Sequence, residues 1–238
     1  MLLSLYEAYG ADVIGLQEFT AHTSRKLFEA KLLSAGYTEA APNVLSETPL
    51  FYKKDRLELI KSGYTLYDIE NDGNSKSVTW AIFKTIETQK DFILLSTHFA
   101  WRGGESGENG RRAHIAQILG IINNLRCGEY ANTPVIFGGD LNYEYASPLS
   151  QVIRDAGYTS TWEAATEKND CCGHHPYSLY DETSGLYLKW TKPSGTYNKS
   201  IDQSWFKGNL KVNFYATLTD YYTNLSSDHC PQVIDINF

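Results

Sequence analysis

PVIFGGDLN, residues 134–142, has the pattern of a strand that ends in polar side chains. The apolar run 135–137 is typical of a strand buried on both faces. A glycine pair follows, and then come Asp140 and Asn142, which point to the same side if extended geometry continues. The stretch therefore predicts a rigid sheet edge that delivers a carboxylate and an amide into a cleft.

The composition is that of a globular chain with a substantial core. The 238 residues are 42% hydrophobic and 13% aromatic, and they contain no repeat, low-complexity tract or linker, so we expect a single domain over residues 1–238. The net charge of −7 gives no global help in binding nucleic acid. No apolar run reaches the roughly 18 residues of a membrane span, so we expect no transmembrane segment.

Strands and helices alternate along the chain, which predicts an α/β class. Beyond the opening stretch, strands are predicted over 11–16, 49–53, 57–67, 78–86, 91–98, 199–206, 210–217 and 231–238. Helices are predicted over 2–9, 23–34, 111–126 and 148–156. The glycine-rich segment 101–110 and the aromatic, polar segment 163–195 are predicted to be loops.

Polar side chains follow three of the apolar strands. Glu18 comes after VIGL, His98 ends FILLSTH, and Asp140 follows VIFGG. Ligands of open α/β sheets bind beyond the carboxyl ends of the strands. Asp202 and the pair Asp228–His229 lie beside later strands. Carboxylates suit a Mg²⁺-type ion, and imidazoles suit acid–base or phosphate contacts.

The motifs in their order resemble those of the endonuclease/exonuclease/phosphatase superfamily, also called DNase I-like. They are LQE (16–18), THF (97–99), Arg111, GGDLN (138–142), ID (201–202) and SDH (227–229). The resemblance implies a four-layer α/β sandwich in which two packed mixed β-sheets are flanked by helices. It also implies hydrolysis of phosphate esters that depends on Mg²⁺ or Mn²⁺.

The resemblance also implies a role for each motif residue. Glu18 would be the main metal ligand, with help from Asp228. Asp140 would activate or position water, and Asn142 would orient phosphate or Asp140. His98 would contact a phosphate oxygen, and His229, held by Asp202, would stabilise the scissile phosphate. Arg111 would bind substrate or brace the active-site carboxylates.

Simpler interpretations stay open for several of these residues. Glu18 is also consistent with a solvated strand end, Asp140 with a turn cap, and His98 with a structural histidine. Arg111 suits either a phosphate clamp or a solvated helix face.

One feature departs from the family pattern. Family members begin with a strand that carries an asparagine, whereas LQE starts here at residue 16. We therefore expect that strand to be missing, either because this sequence lacks the natural N-terminus or because the protein dispenses with the strand. The alternative to the enzyme is therefore a non-catalytic binding or scaffold protein with a crippled metal site. The expected substrates are small-molecule, lipid-derived or nucleic-acid phosphoesters, and no obligate protein partner is evident. The cytoplasm is favoured as the compartment, with secretion left open.

Overall fold

The chain folds into two compact units. The computed structural model describes residues 8–19, 23–42, 45–68, 76–171, 180–181, 186–187, 195–219 and 227–238. The sheet unit comprises Ala11–Asn142 and Ser204–Asn209, and the terminal unit comprises Met1–Gly10, Tyr143–Gln203 and Leu210–Phe238. A single domain over 1–238 stays a prediction.

Five strands of a six-stranded sheet organise the sheet unit. They are β4 (Leu57–Leu66), β5 (Ser77–Thr85), β6 (Asp91–His98), β7 (Val135–Asp140) and β12 (Asp202–Lys207), in the order β4-β5-β6-β7-β12, and the residues of β12 from Ser204 onward belong to this unit. The pairs β4–β5 and β5–β6 are antiparallel, whereas β6 and β7 are parallel. The parallel pair brings two carboxyl ends to the same edge of the sheet.

A smaller antiparallel sheet lies in the same unit. It has the order β1-β3-β2, with β1 at Val13–Gly15, β2 at Tyr37–Glu39 and β3 at Leu50–Lys53. Helix α1 spans Thr23–Ser34 and helix α2 spans Gly104–Leu125, followed by a 3₁₀ turn at Gly128–Tyr130. The helix predicted over 2–9 lies almost wholly outside the described residues.

Helix α2 begins earlier than the sequence predicts. The segment 101–110 is glycine-rich, and its residues from Gly104 onward are helical. Glycine lowers helix propensity by about 1 kcal/mol relative to alanine, so local propensity argues against this start. Gly107 and Gly110 are buried, and the packing that they permit overrides their propensity.

The terminal unit combines short helices with a second sheet. Helix α3 spans Pro148–Asp155 and helix α4 spans Thr161–Ala164. The Ser147 hydroxyl caps α3, since it accepts a hydrogen bond from the Leu149 amide at 3.3 Å. The sheet has the order β14-β13-β9, with β9 at Glu167–Lys168, β13 at Lys211–Thr217 and β14 at Gln232–Asn237.

Further short elements complete this unit. They are β8 (Thr159–Ser160), the antiparallel pair β10 (Tyr180–Asp181) and β11 (Leu186–Tyr187), and a 3₁₀ turn at Tyr197–Lys199. Parts of the segment predicted as a loop over 163–195 therefore form short strands. Residues 172–179, 182–185 and 188–194 lie outside the described part of the chain.

The core of the sheet unit consists of the apolar runs that predict its strands. Phe83, Ile93 and Phe137 have no exposed surface, and each such side chain contributes roughly 1.5–3 kcal/mol by burial. The mixed arrangement of strands and helices confirms the predicted α/β class. None of the helices in the described ranges combines the length and the apolar character that a membrane crossing needs.

Candidate active site

Strands β6 and β7 bring His98 and Asp140 side by side. The parallel register pairs these two residues at the carboxyl ends of the strands, and His98 Nε2 lies 3.5 Å from Asp140 Oδ2. The Phe99 amide donates to the Asp140 carbonyl at 2.9 Å and continues the pairing beyond the strand ends. Residues that are far apart in the sequence therefore meet as the shared sheet edge predicts.

The second glycine of GGDLN is required by this close approach. Gly139 has a φ of +140°, and a Cβ there would lie 2.0 Å from the Thr97 carbonyl oxygen. Only glycine tolerates both the backbone angle and the contact. The glycine pair thus allows β7 to pass beside β6 and still end with Asp140 facing His98.

Asp140 and Asn142 are held by a local hydrogen-bond pattern. The backbone amide of Asn142 donates to Asp140 Oδ1 at 2.8 Å, and its side-chain Nδ2 donates to the Phe99 carbonyl at 2.9 Å. Asn142 has a left-handed φ of 54°, which asparagine adopts more readily than most residues. Asn142 therefore orients the Asp140 carboxylate through its backbone and fixes the end of β6 through its side chain.

Glu47 and Lys76 complete a charged cluster around His98, and the sequence did not predict either residue. Glu47 Oε1 lies 3.1 Å from His98 Nδ1 and 3.3 Å from Lys76 Nζ. Lys76 Nζ also lies 3.0 Å from His98 Nδ1. Burial opposes ionisation of Glu47, but the hydrogen bond with His98 and the charges of His98 and Lys76 outweigh it, so the pKa of Glu47 falls below its ordinary value.

A group of buried hydroxyls fixes the backbone around Glu47. Ser46 Oγ lies 3.2 Å from Thr48 Oγ1, 3.2 Å from Ser77 Oγ and 2.8 Å from Thr79 Oγ1. Ser46 and Thr48 flank Glu47 in the sequence, whereas Ser77 and Thr79 belong to β5. Hydroxyl pairs across the two segments therefore anchor Glu47 from both sides.

Glu47 and Lys76 carry no catalytic motif of their own. Glu47 lies in the segment LSETP, and Lys76 precedes a strand-like run. Neither position is therefore predicted to be functional from the sequence. A signal does exist in the spacing of the hydroxyls. Ser46 and Thr48, like Ser77 and Thr79, are two residues apart, which places each pair on one face of an extended segment.

Glu18 follows β1 in a strained backbone conformation. Its φ is 56°, in the left-handed region that a non-glycine residue seldom occupies, and its side chain is exposed. The preceding Gln17 donates from Nε2 to Ser96 Oγ at 3.1 Å, and Ser96 Oγ donates to the Leu16 carbonyl at 3.2 Å. These bonds tie the segment that carries Glu18 to strand β6.

The donor chemistry fits a hard divalent cation. Carboxylate oxygens such as those of Glu18 are the ligands that Mg²⁺ and Mn²⁺ prefer. Within the described ranges, no three His, Cys, Asp or Glu side chains are gathered as a metal site. The residues therefore fit a divalent cation in the type of donor they offer, and the exposed Glu18 is accessible to such an ion.

The terminal unit contains a second carboxylate–imidazole pair. His229 Nδ1 lies 3.0 Å and 2.9 Å from the two carboxylate oxygens of the buried Asp202. The Ser227 hydroxyl accepts a hydrogen bond from the His229 amide at 3.0 Å, and Asp228 between them is half-buried. A carboxylate on Nδ1 fixes the ring orientation and aims Nε2 away from the carboxylate.

Arg111 contacts the loop that follows β6. Its Nη1 donates to the carbonyl oxygens of Ala100 and Arg102 at 3.0 Å and 2.8 Å. Burial lowers the pKa of this guanidinium. These contacts give Arg111 a part in fixing the backbone beside His98, and a contact with substrate stays a prediction.

The fold resembles that of several solved structures. A mannosyl-6-phosphatase from Bacteroides thetaiotaomicron matches at a TM-score of 0.77 and 18% identity, over 100% of this chain and 89% of that one. The human Nocturnin catalytic domain with bound sulfate matches at 0.72 and 21%, over 100% and 84%. D. rerio TDP2 in complex with a single-strand DNA product matches at 0.71 and 17%, over 100% and 90%. These likenesses confirm the DNase I-like fold.

Sequence comparison supplies the family. No curated protein matches the chain. The sequence pattern of the Endonuclease/Exonuclease/phosphatase family, by contrast, matches residues 1–229. Because this match spans nearly all of the sequence, including LQE, GGDLN and SDH, the chain belongs to the endonuclease/exonuclease/phosphatase family.

Proposed function

We propose that this protein hydrolyses phosphate esters with the help of a divalent cation, Mg²⁺ or Mn²⁺. The observation that carries the proposal is the buried His98 between the carboxylates of Glu47 and Asp140, at the carboxyl ends of two parallel strands. Enzymes of this family generally use divalent metals. The fold, the family and the polar cluster all support phosphoester chemistry.

Asp140 is the proposed base for the attacking water. Its Oδ1 already accepts the Asn142 amide, and its Oδ2 faces His98 Nε2. A carboxylate fixed on both oxygens can orient a water molecule for in-line attack and accept a proton from it. Asn142 serves as the residue that positions Asp140.

His98 is the proposed partner of a phosphate oxygen. Glu47 Oε1 lies 3.1 Å from Nδ1 of the ring, and Lys76 places a positive charge 3.0 Å from the same nitrogen. Fixed positive charge in a water-poor site stabilises the negative charge that develops on a phosphate in the transition state. The hydroxyls around Glu47 hold this arrangement in place before substrate binds.

The Asp202–His229 pair of the terminal unit is proposed to contact a phosphate oxygen. Asp202 holds Nδ1 of His229, so that Nε2 is available in a defined direction to donate to an oxygen of the scissile phosphate. Glu18 in the sheet unit and Asp228 in the terminal unit are each proposed as cation ligands, and the charge of a bound cation would offset the charge of the phosphate.

Small or weakly held substrates suit this chain best. The net charge of −7 argues against high-affinity binding of duplex DNA. The structural neighbours are described as a mannosyl-6-phosphatase and as a protein bound to a single-strand DNA product. Sugar phosphates, lipid-derived phosphoesters and single-stranded nucleic acid are therefore the proposed substrate classes.

The test is metal-dependent turnover on substrates of each class. We expect hydrolysis of bis(4-nitrophenyl) phosphate, mannose 6-phosphate or a single-strand oligonucleotide with Mg²⁺ or Mn²⁺, and loss of hydrolysis with EDTA. Asp140→Asn should lower kcat by about 10²- to 10⁴-fold, the usual contribution of a general base. Asp55→Asn, on an exposed turn, is the matched control and should retain the rate of the unmodified protein.

Two results would contradict the proposal. Turnover that survives EDTA would remove the cation from the reaction. Absence of turnover on every substrate class, in a folded protein supplied with either cation, would favour the non-catalytic binding protein instead.

A further inference from the structure

The loop that follows β6 is clamped by helix α2. The Ala100 amide donates to His114 Nδ1 at 3.2 Å, and Arg111 Nη1 donates to the Ala100 and Arg102 carbonyls. Loops normally satisfy much of their backbone with water, and their conformation varies accordingly. Here side chains from one helix bind successive backbone groups of the loop and fix its path.

Gly107 shows how tightly the loop lies on the helix. A Cβ at this position would stand 1.7 Å from the Arg102 carbonyl oxygen and 3.1 Å from Arg111 Nη1. Gly107, Arg111 and His114 are spaced by four and three residues, so they lie on one face of α2. The helix therefore carries a glycine, a partly buried guanidinium and a buried imidazole on the face that contacts this loop.

This clamped loop displays Trp101. The Trp101 side chain is 55% exposed. The other described tryptophans are packed: Trp205 is fully buried, Trp162 stacks on Tyr197 with ring centroids 4.6 Å apart, and Trp80 is half-buried.

Exposure alone would carry little weight, because single apolar side chains are common on protein surfaces. The position of Trp101 is what distinguishes it. It stands three residues after His98, on a backbone that is fixed both by α2 and by the Asn142 side chain on the Phe99 carbonyl. Three extended residues span at most about 11 Å, so the exposed Trp101 stands on a backbone within that distance of the His98 backbone.

We propose that Trp101 stacks on a ring in the organic part of the phosphoester, a nucleobase or the apolar face of a sugar. This inference rests on the proposed function, since it takes His98 as the phosphate contact. Trp101 would thus determine specificity and take no part in bond breaking. An indole on a fixed backbone offers a flat apolar surface at little conformational cost.

The test compares substrates with and without a ring. Trp101→Ala should lower kcat/KM by about 10- to 100-fold for thymidine 5′-monophosphate 4-nitrophenyl ester or glucose 6-phosphate, with the effect mainly in KM. Glycerol phosphate, which has no ring, should be unaffected. Trp101→Phe should restore most of the loss, and Ile86→Ala, another exposed apolar residue, is the control. Comparing the losses for the thymidine ester and for glucose 6-phosphate identifies whether a nucleobase or a sugar ring is recognised.

An equal loss for ring-bearing and ringless substrates, or no loss, would overturn the proposal. Calorimetric titration with thymidine monophosphate and with glucose 6-phosphate measures binding without turnover. It therefore distinguishes a failure of the stacking role from a failure of the proposed hydrolysis. If the protein turns over nothing and the binding of both compounds is unchanged in Trp101→Ala, the stacking role is wrong. If turnover is absent but binding of either weakens by about 10-fold in Trp101→Ala, the stacking role stands and only hydrolysis is refuted.

Discussion

His98 and His229 are both imidazoles that contact a carboxylate, yet their surroundings differ. The His98 side chain is 2% exposed, whereas that of His229 is 33% exposed. Glu47 Oε1 lies 3.1 Å from His98 Nδ1 and 3.3 Å from Lys76 Nζ. The described ion-pair partner of His229 is Asp202. One imidazole is embedded in a charge cluster, and the other is oriented at the surface.

The difference separates two ways of preparing a histidine for phosphate chemistry. In the buried cluster around His98, neighbouring charges act in a low dielectric and hold the ring between them. At His229 solvent supplies much of the dielectric, so the carboxylate mainly fixes the tautomer and direction of the ring. The His98 ring has several charged neighbours, whereas the orientation of the half-buried His229 ring depends on the buried Asp202.

The largest expected effect follows from that dependence. Asp202→Asn should lower kcat by about 10²- to 10⁴-fold, because an amide no longer holds the His229 ring in the required tautomer. Glu47→Gln should lower kcat by only about 10- to 100-fold, since Asp140 and Lys76 still contact His98. Steady-state rates on bis(4-nitrophenyl) phosphate measure both. Equal losses in the two variants would show that the redundancy around His98 has no functional value.

The next effect is on stability and involves Lys76. Replacement by methionine leaves Glu47 buried without its lysine partner, and removing one member of a buried ion pair costs about 3 kcal/mol or more. Urea unfolding would measure the change in the free energy of unfolding. Arg56→Met removes the exposed partner of Asp12 and is the matched control, for which we expect an unchanged midpoint. Equal shifts in the two variants would refute a structural role for the buried amine.

A smaller effect separates the two histidines themselves. His98→Gln should destabilise the protein by about 1–3 kcal/mol, because it disrupts contacts to buried charged groups. His229→Gln should change stability by no more than about 0.5 kcal/mol, since its ring is substantially exposed. Both variants should lose most of their activity. A destabilisation of His229→Gln as large as that of His98→Gln would contradict the contrast between the two sites.

Sequence patterns predict the part of the site that depends on strands. The apolar runs of β6 and β7 define where His98 and Asp140 stand, and a shared carboxyl edge follows from parallel strands. The pair Asp202–His229 also meets as the family resemblance implies.

Tertiary packing decides what those patterns do not predict. Ser46 and Thr48 hold Glu47 beside His98 through hydrogen bonds to hydroxyls of β5. The two-residue spacing of these hydroxyls places each pair on one face of its own segment, but it does not specify that the two segments meet. The early start of α2 depends on Gly107, whose helical conformation is unfavourable until the loop lies against it. Propensity and motif spacing describe neighbours along the chain, whereas these features arise between segments.

The smallest expected effect is the pH dependence of the buried cluster. Burial opposes ionisation of Glu47, but contacts with His98 and Lys76 prevail and lower its pKa below the ordinary value of 4.5. The ionised carboxylate therefore contributes stability above that value, and the contribution is lost as the pH falls through the lower, folded-state pKa. Urea unfolding of the unmodified protein and Glu47→Gln should show a difference that is constant near neutral pH and shrinks in acid. A difference that stays unchanged as the pH falls well below 4.5 would mean that folding does not lower the pKa of Glu47.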